Sequence, residues 1–441
     1  MSKIIQNSLC AKMPLSQLQD SLQTFLEPVT ARLPDVRLQR VAYLLLQGLL
    51  TAESPVITQM ARGTVHDEKA IWLTCKRFYR FLENDRFSHR TLQKGLAQLA
   101  QQVVAEHAPA HLVIAVDPVN FEKPYTQRVE GVSQVMKSTP PALNGEMRKT
   151  RGYPAITATI VNLTQPATTY ANWFSYQTRE FVSLNREVER AFRFTRALFP
   201  RHKLRFVGDA GFDDEKVFAQ VARVQSEFVF RAWHARNVEV YNARLQRWEA
   251  EKLLELTATV PLEFEQEIVF THARKTRRVR MGFGWLHIRL PKTQQELWVL
   301  VAHDFERAHD LVLLTNVPLT NVACVRQVYS DWRQRAQIEH GYRFDQEAGL
   351  DVEDLRVETV ERMRRLFLFV LLAAQFVCHI DHHWNATAVR WLRLLGGKLD
   401  VASDRDGLYI LLRGIGAVWQ AAATITFAQN YPFPTEISTC G

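Results

Sequence analysis

The chain has 441 residues, 47% hydrophobic and 23% charged. That composition excludes wholesale disorder, a collagen-like repeat and a membrane-embedded architecture, and leaves room for roughly two to four domains. Lys plus Arg number 55 against 46 Asp plus Glu, a formal charge of +9, and a basic surplus on a folded chain points to an anionic partner, most often nucleic acid.

The cysteines Cys10, Cys75, Cys324, Cys378 and Cys440 are odd in number and widely spaced, with no C-x-x-C. They argue against a disulfide scaffold and fit a reducing cytoplasm. The start of the chain carries no charged-then-apolar signal pattern, so no secretory leader is expected. The longest apolar run, Leu366 to Val377, falls short of the ~20 residues a bilayer needs. It is expected to be a buried helix, with no membrane partner.

Residues 1–108 read as helical. Arg37 to Leu50 carries apolar residues at helical spacing, and Ser54-Pro55 is a helix-start signal with Ser as N-cap. On the next helix, Glu68 to Leu82, the residues Ile71, Cys75, Phe78 and Leu82 fall on one stripe. Lys69, Lys76 and Arg80 fall on the opposite one, with Arg77 beside them. Such a helix after a short helix and turn suits a DNA groove or a run of phosphates; the ordinary alternative is a solvated surface face.

From about residue 110 the pattern alternates. His111 to Val116 is a β-type run ending in Asp117, and 121–154 is rich in Pro, Gly and cations, including Lys123, Arg128, Lys137, Arg148, Lys149 and Arg151. Strand patterns follow at 155–163 and 167–174, a helix at 183–198, and a strand at 204–207 running into Gly208-Asp209. A helix at 214–224 and a strand at 227–232 complete the series. The order β-β-β-α-β-α-β predicts a mixed sheet with helices packed on it. Residues 233–320 break the rhythm with β-type runs at 279–290, 297–302 and 311–314, preceded by the cations Arg274, Lys275, Arg277, Arg278 and Arg280. They read as a β-rich insertion. A long helix is predicted at 322–347, and 356–441 is mostly helical.

Asp117 and Asp209 each end a core strand, and the strand order makes those strands neighbours. On the helix 322–347, Trp332, Arg335, Glu339, Tyr342, Arg343 and Gln346 share a stripe, with Glu339 its one acid. Carboxylates brought together repel by about 4 kcal/mol per pair at 4 Å and an effective dielectric near 20. Divalent cations relieve that repulsion, and oxygen donors suit Mg²⁺ or Mn²⁺. Two such ions activate a water or a 3′-hydroxyl at a phosphodiester and stabilise the leaving oxygen. A rival zinc arrangement pairs Cys378 with His382 and His379 with His383 at i,i+4, but no second half-site stands out.

The pieces IAVDPVN around Asp117, FVGDAGFDD around Asp209, LLTNVPL near 311–318 and RQRAQIEHGYRFDQEAGL around Glu339 resemble bacterial insertion-sequence transposases of the DDE class. The insertion-sequence-four group is the nearest in pattern, and the resemblance spans about 36 to 415. It implies an RNase H-like catalytic domain interrupted by a β-rich insertion, with Asp117, Asp209 and Glu339 as the triad holding two Mg²⁺ (or Mn²⁺) ions. The group's helix signature, Y-x2-R-x3-E-x6-K, is met at Arg335 and Glu339, while Trp332 and Gln346 stand at the Tyr and Lys positions. These departures bear on whether hairpin ends form, and strand cleavage is still expected.

The fold class expected is thus α/β: an RNase H-like mixed sheet flanked by helices, with a β-rich insertion and helical N- and C-terminal regions. The segments are a helical DNA-binding domain at 1–108, catalytic sheet at 109–232, insertion at 233–320, catalytic helix at 321–355 and helical region at 356–441. The resemblance implies cut-and-paste transposition in the bacterial cytoplasm, on double-stranded transposon ends and target DNA, by a homodimer with residues 385–430 as a candidate contact. Lys69, Lys76, Arg77, Arg80, Lys123, Arg148, Lys149 and Arg151, with Trp332, Arg335, Tyr342, Arg343 and Gln346, are the expected DNA contacts. Trp285 and Trp298 are expected in the core, with stacking on an unpaired base as the alternative. The alternatives for the whole chain are an inactive relative that only binds DNA and another RNase H-like nuclease.

Overall fold

The computed structural model describes residues 14–64, 68–126, 128–137, 148–233, 235–272, 275–337, 350–401 and 407–430. The first segment is helical, as its periodicity predicts: α1 (Leu15–Thr30), α2 (Val36–Ala52), α3 (Ile57–Arg62), α4 (Glu68–Glu83) and α5 (His89–His107). Asp35 caps α2 by accepting the Leu38 N–H at 2.9 Å, and Glu53 ends it in the left-handed region at φ 52°. Ser54 is not the cap of α3. Its hydroxyl accepts the Val56 N–H at 3.3 Å, holding Val56 extended, so the helix begins at Ile57.

The sheet comprises β1 (Leu112–Glu122), β2 (Ser133–Met136), β3 (Lys149–Ile160), β4 (Ala167–Trp173), β5 (Leu204–Gly208) and β6 (Glu227–Arg231), with α6 (Leu184–Leu198) and α7 (Glu215–Arg223) between them. It continues through β7 (Asn237–Asn242), β8 (Arg247–Lys252), the short α8 (Leu253–Thr257), β9 (Phe264–His272), β10 (Lys275–Arg289), β11 (Glu296–Asp304) and β12 (His309–Thr315). The chain then forms α9 (Val322–Arg333), α10 (Val360–His383), α11 (Ala386–Gly396) and α12 (Leu408–Asn430). The fold is mixed α/β with helices flanking one twelve-stranded sheet, ordered β2-β3-β1-β5-β6-β12-β11-β10-β7-β8, with β4 on β3 and β9 on β10. β12 pairs antiparallel with β6, so the strands of 233–320 extend the first sheet and do not form a separate one.

Two departures from expectation have local causes. β2 lies inside the Pro-, Gly- and cation-rich stretch 121–154, where no strand is expected, paired with Lys149–Gly152 of β3; its alternation of buried Ser133 and Val135 with exposed neighbours is hidden by the Pro, Gly and cations around it. The helix predicted over 322–347 is broken after Arg333: Gln334 and Arg335 form a turn, Ala336 and Gln337 are helical again, and 338–347 lie outside the described residues.

The side-chain alternation of β1 and β5 feeds two cores. Ile114, Val116, Phe206 and Phe228 pack with α6 and α7 through Phe192, Val217 and Phe218. Val113, Ala115, Val207 and Val229 pack on the other face beneath Val325, Val328 and Tyr329 of α9. A third cluster surrounds α10 and joins α1, α2, α4 and α5 to Phe121, Tyr153 and Trp173 at the far end of β1, β3 and β4. Both α10 and α12 are long and apolar enough to span a bilayer, but 83% of the most apolar window of α10 is buried inside the protein, as expected of a core helix. The corresponding figure for α12 is 39%.

Arg365 of α10 ties this third cluster together. It is buried and donates to the carbonyls of Phe81 (3.2 Å), Asn84 (2.8 Å) and Phe87 (2.7 Å) and to Glu361 (2.9 Å). Burial alone would raise the Glu361 carboxyl, but the His89 ring and backbone N–H and the Arg365 guanidinium outweigh it and hold the pKa down to about 2. Arg365→Met should cost about 3 kcal/mol, because buried carbonyls lose a charged donor; denaturant unfolding at pH 7 measures this as a lower midpoint at unchanged slope.

The end of α10 is set for acid sensitivity. Burial, with His383 and His382 nearby, lowers the His379 pKa to about 4, while Glu106 pulls it the other way. A histidine depressed in the folded state binds fewer protons there than when unfolded. Its contribution is therefore present above the ordinary value near 6.5 and is lost as pH falls toward 4. The melting temperature should drop across that window, and His379→Gln should flatten the drop; an unchanged profile in the variant would assign the loss to other groups.

Candidate active site at the strand ends

β1 and β5 run parallel, with Leu112 to Ala115 paired against Leu204 to Val207. Asp117 and Asp209 each lie two residues past the last pair, Ala115 and Val207. By alternation Asp117 follows Val113 and Ala115, and Asp209 follows Arg205 and Val207, onto the α9 face. Adjacent strands lie ~4.8 Å apart, so the two carboxylates are placed side by side on one face, as the strand order predicts; Asp209 directly follows the end of β5, but Asp117 does not end its strand, because β1 runs on to Glu122 along β3. Asp117 remains paired with β3 through Thr157. Its successor Pro118, which has no N–H to donate, lies beyond the β5 pairing, on a stretch of β1 that β5 no longer covers. Val119, two residues on, packs against both the α9 cluster and the α10 cluster, which sets Asp117 in the seam between them.

β5 ends abruptly. A Cβ on Gly208 would meet Phe212 at 2.6 Å and Phe230 at 3.1 Å, so glycine lets the chain fold straight into the turn Ala210–Phe212. Asp209 caps this turn, accepting the Gly211 N–H at 2.9 Å. The other acids of the segment are engaged structurally. Asp213 pairs with Arg236 at 2.6 Å and accepts the Trp233 N–H at 2.7 Å, and Asp214 caps α7.

The helix that precedes Glu339 is fastened to these strand ends. The Trp332 indole N–H donates to the Gly208 carbonyl at 3.1 Å, and the Arg335 guanidinium lies 5.9 Å from the Trp332 ring. One residue before Trp332, buried Asp331 accepts from Arg205 and from Gln327 (2.7 Å) and faces His111 at 3.1 Å, while Arg205 also holds Glu227 at 2.7 Å. The helix end next to Asp209 is thus held by a carbonyl contact on one side and a buried ion network on the other. Glu339, Tyr342, Arg343 and Gln346 lie outside the described residues. Among the described residues no group of three or more His, Cys, Asp or Glu is arranged to hold a metal ion. Two carboxylates on neighbouring strands have the oxygen chemistry that Mg²⁺ or Mn²⁺ takes.

The expected cations separate into distinct environments. Lys69, Lys76, Arg77 and Arg80 are all exposed along one face of α4, while Cys75, Phe78 and Leu82 are buried on the other. Trp72 (59% exposed) and Leu73 (53%) share the cationic face, with the Lys76 ammonium 5.7 Å from the Trp72 ring. Arg148, Lys149 and Arg151 are exposed. Lys149 and Arg151 alternate onto the face of Thr157 and its partner Asp117, about 20 Å along the strand from Arg151 to Thr157. Lys123 departs from its expected surface role. It is buried, its ammonium donates to the carbonyls of Glu353 and Leu355, and burial lowers its pKa to about 8 against the pull of Glu353, Asp354 and Asp351. Arg277, Arg278 and Arg280 each pair with a glutamate, Glu306, Glu267 and Glu265 respectively. Trp285 and Trp298 are half-buried against the α9-side core, and Trp298 packs on His287 at 4.9 Å. At the zinc alternative, the His379 and His383 rings stack at 4.1 Å, and both His383 nitrogens have partners, His379 O at 3.0 Å and Glu106 at 3.2 Å.

The Arg205–Asp331 pair and the Gly208 turn were not singled out in the sequence. The usable signal was Gly before Asp209; the ion pair joins residues 126 apart and leaves no local pattern. No protein-family profile matches the chain, and no curated protein matches it. Among solved structures it is similar to a piggyBac transposase synaptic complex with hairpin DNA determined by cryo-EM, at 9% identity and a TM-score of 0.41, over 95% of this chain and 80% of that one.

Asp331→Ala should cost about 3 kcal/mol, the low end for breaking a buried pair because Glu227 still partners Arg205. Chemical denaturation of the purified chain measures this, and a loss below 1 kcal/mol would mean the network is not what fastens α9.

Proposed function

We propose that the protein is a DDE-type DNA transposase of the insertion-sequence class, cutting phosphodiesters at the ends of its element and joining the 3′-hydroxyls to target DNA. The observation that carries this reading is the placement of Asp117 and Asp209 on one face just past the parallel pairing of β1 and β5, beside the Trp332-anchored end of α9. Glu339 lies four residues beyond Arg335 and is proposed as the third carboxylate. Asp117, Asp209 and Glu339 would hold two Mg²⁺ or Mn²⁺ ions, which would supply activation of a water or a 3′-hydroxyl and stabilisation of the leaving oxygen.

The chain's own groups divide the remaining work. Trp332 fixes the helix end and leaves the guanidinium of Arg335 over its ring, in a position to meet a phosphate beside the carboxylates. The exposed row Lys69, Lys76, Arg77 and Arg80 on α4 would grip duplex backbone away from the cut. Lys149 and Arg151 would extend that contact on the Asp117 face, with Arg148 beside them. Tyr342, Arg343 and Gln346 are proposed to contact the end near the cut. A dimer handling two ends, with residues 385–430 in contact, is part of the same proposal.

The test is a supercoiled plasmid carrying the DNA that flanks the coding sequence. With Mg²⁺ or Mn²⁺ the native protein should nick or excise at the element ends. Asp117→Ala, Asp209→Ala and Glu339→Ala should each abolish cutting while binding the same DNA. Cutting retained in any of the three would sink the assignment, and end binding without metal-dependent cutting by the native chain would favour a binding protein.

Replacing Lys76, Arg77 or Arg80 by Ala should weaken duplex binding across sequences. Each should reduce the slope of log affinity against log salt by about 1. Titrations at several salt concentrations measure this, and an unchanged slope in all three variants would return the α4 face to an ordinary solvated surface.

A further inference from the structure

On the side of α9 that faces β9, the two elements enclose a groove of about 620 Å³, lined by Gln266, Ile268, Phe283, Arg326, Tyr329 and Arg333 among others. Alternation puts Phe264, Gln266, Ile268 and Phe270 on one face of β9. The Arg326 guanidinium lies 5.1 Å from the Phe264 ring, and that of Arg333 lies 4.6 Å from the Phe270 ring. Arg333 also donates to the Val269 carbonyl at 2.9 Å. The two arginines are two helical turns apart, ~10 Å along α9, and they bracket the groove from its two ends.

The electrostatics of this groove differ from those of the neighbouring hairpin. Arg277, Arg278 and Arg280 on β10 are each matched by a glutamate, whereas no acidic side chain is among the described residues lining the groove. Stacking on a ring orients a guanidinium while leaving its N–H fork able to meet a phosphate. Between the arginines the groove is lined by buried Ile268, Phe283 and Tyr329 and by the polar side chains of Gln266, Gln327 and Ser330. The amide and hydroxyl groups can meet the edge of a base, above a covered apolar layer. The volume lies within the ~300–1,000 Å³ of ordinary ligand pockets and admits nucleotides of one strand but not a duplex. Arg333 directly follows Trp332, whose indole holds the Gly208 carbonyl beside Asp209, so the Arg333 end of the groove is one residue from the anchor at β5.

We propose that this groove binds a single strand of nucleic acid, with phosphates on Arg326 and Arg333 and a base between them meeting Gln266, Gln327 and Ser330. The proposal rests on the nucleic-acid reading above and adds to it a place for a strand parted from its complement near the cutting site.

Fluorescence anisotropy with the full chain tests it, using a labelled oligothymidine of about 12 nucleotides, within the span of known single-strand sites, and a labelled hairpin duplex. Arg326→Glu removes one bracket, and Ala323→Trp fills the groove from an exposed position of α9. Both variants should weaken oligothymidine binding about tenfold, the order expected for one base or one charged contact, and leave duplex binding within about twofold. Native affinity for oligothymidine in both variants overturns the groove and leaves the duplex reading standing. Equal losses for duplex and single strand also overturn it, since they report a general charge effect. A native chain that binds neither probe overturns the nucleic-acid reading itself.

Discussion

The parallel register of β1 against β5 is the constraint on which the candidate site depends. Side chains alternate along a strand, so a slip of one residue in either strand would turn its aspartate from the α9 face to the α6 and α7 face. The register is guarded by what it buries on both sides. Val113, Ala115 and Val207 must meet α9, while Ile114, Val116 and Phe206 must meet the opposite helices. A slipped strand would place its apolar set in the wrong packing on both faces, and the two carboxylates inherit their common direction from that requirement.

The second determinant is how α9 is held. Its packing face, Val325, Val328 and Tyr329, is apolar and would tolerate some sliding over the sheet. The polar contacts at its end are directional. The Trp332 indole needs the Gly208 carbonyl, and Asp331 must stay with Arg205 because neither charge can be left buried alone. These contacts sit at the last turn of the helix, immediately before Arg335 and the segment carrying Glu339.

The fold also sorts the basic surplus. The +9 of the chain is not spread evenly over a surface. The α4 row and the start of β3 present their charge to solvent, the β10 arginines face glutamates across the hairpin and its turn, and Lys123 is spent on backbone carbonyls inside the protein. Burial is the discriminating variable. An ammonium that has lost its water needs fixed acceptors, and Glu353 and Leu355 provide them at the cost of any role at the surface.

Much of this was legible in the chain itself. The alternation of helix and strand patterns, the core stripe and cationic stripe of α4, and the two aspartates on adjacent strands follow from periodicities of 3.6 and 2 and from connection order, which are local properties of sequence; the run of β1 past Asp117 to Glu122 does not. The end of α9 at Arg333, the extension of the sheet through β12 and β6, the burial of Lys123 and the bracketing of a groove by Arg326 and Arg333 were decided only in three dimensions. Each depends on a partner far along the chain: Gly208 for Trp332, Phe230 for Leu314, Glu353 for Lys123, Phe264 for Arg326. A sequence pattern reports which face of an element is apolar. It does not report which distant carbonyl, ring or carboxylate that face will meet, because that choice is made by the packing of the whole.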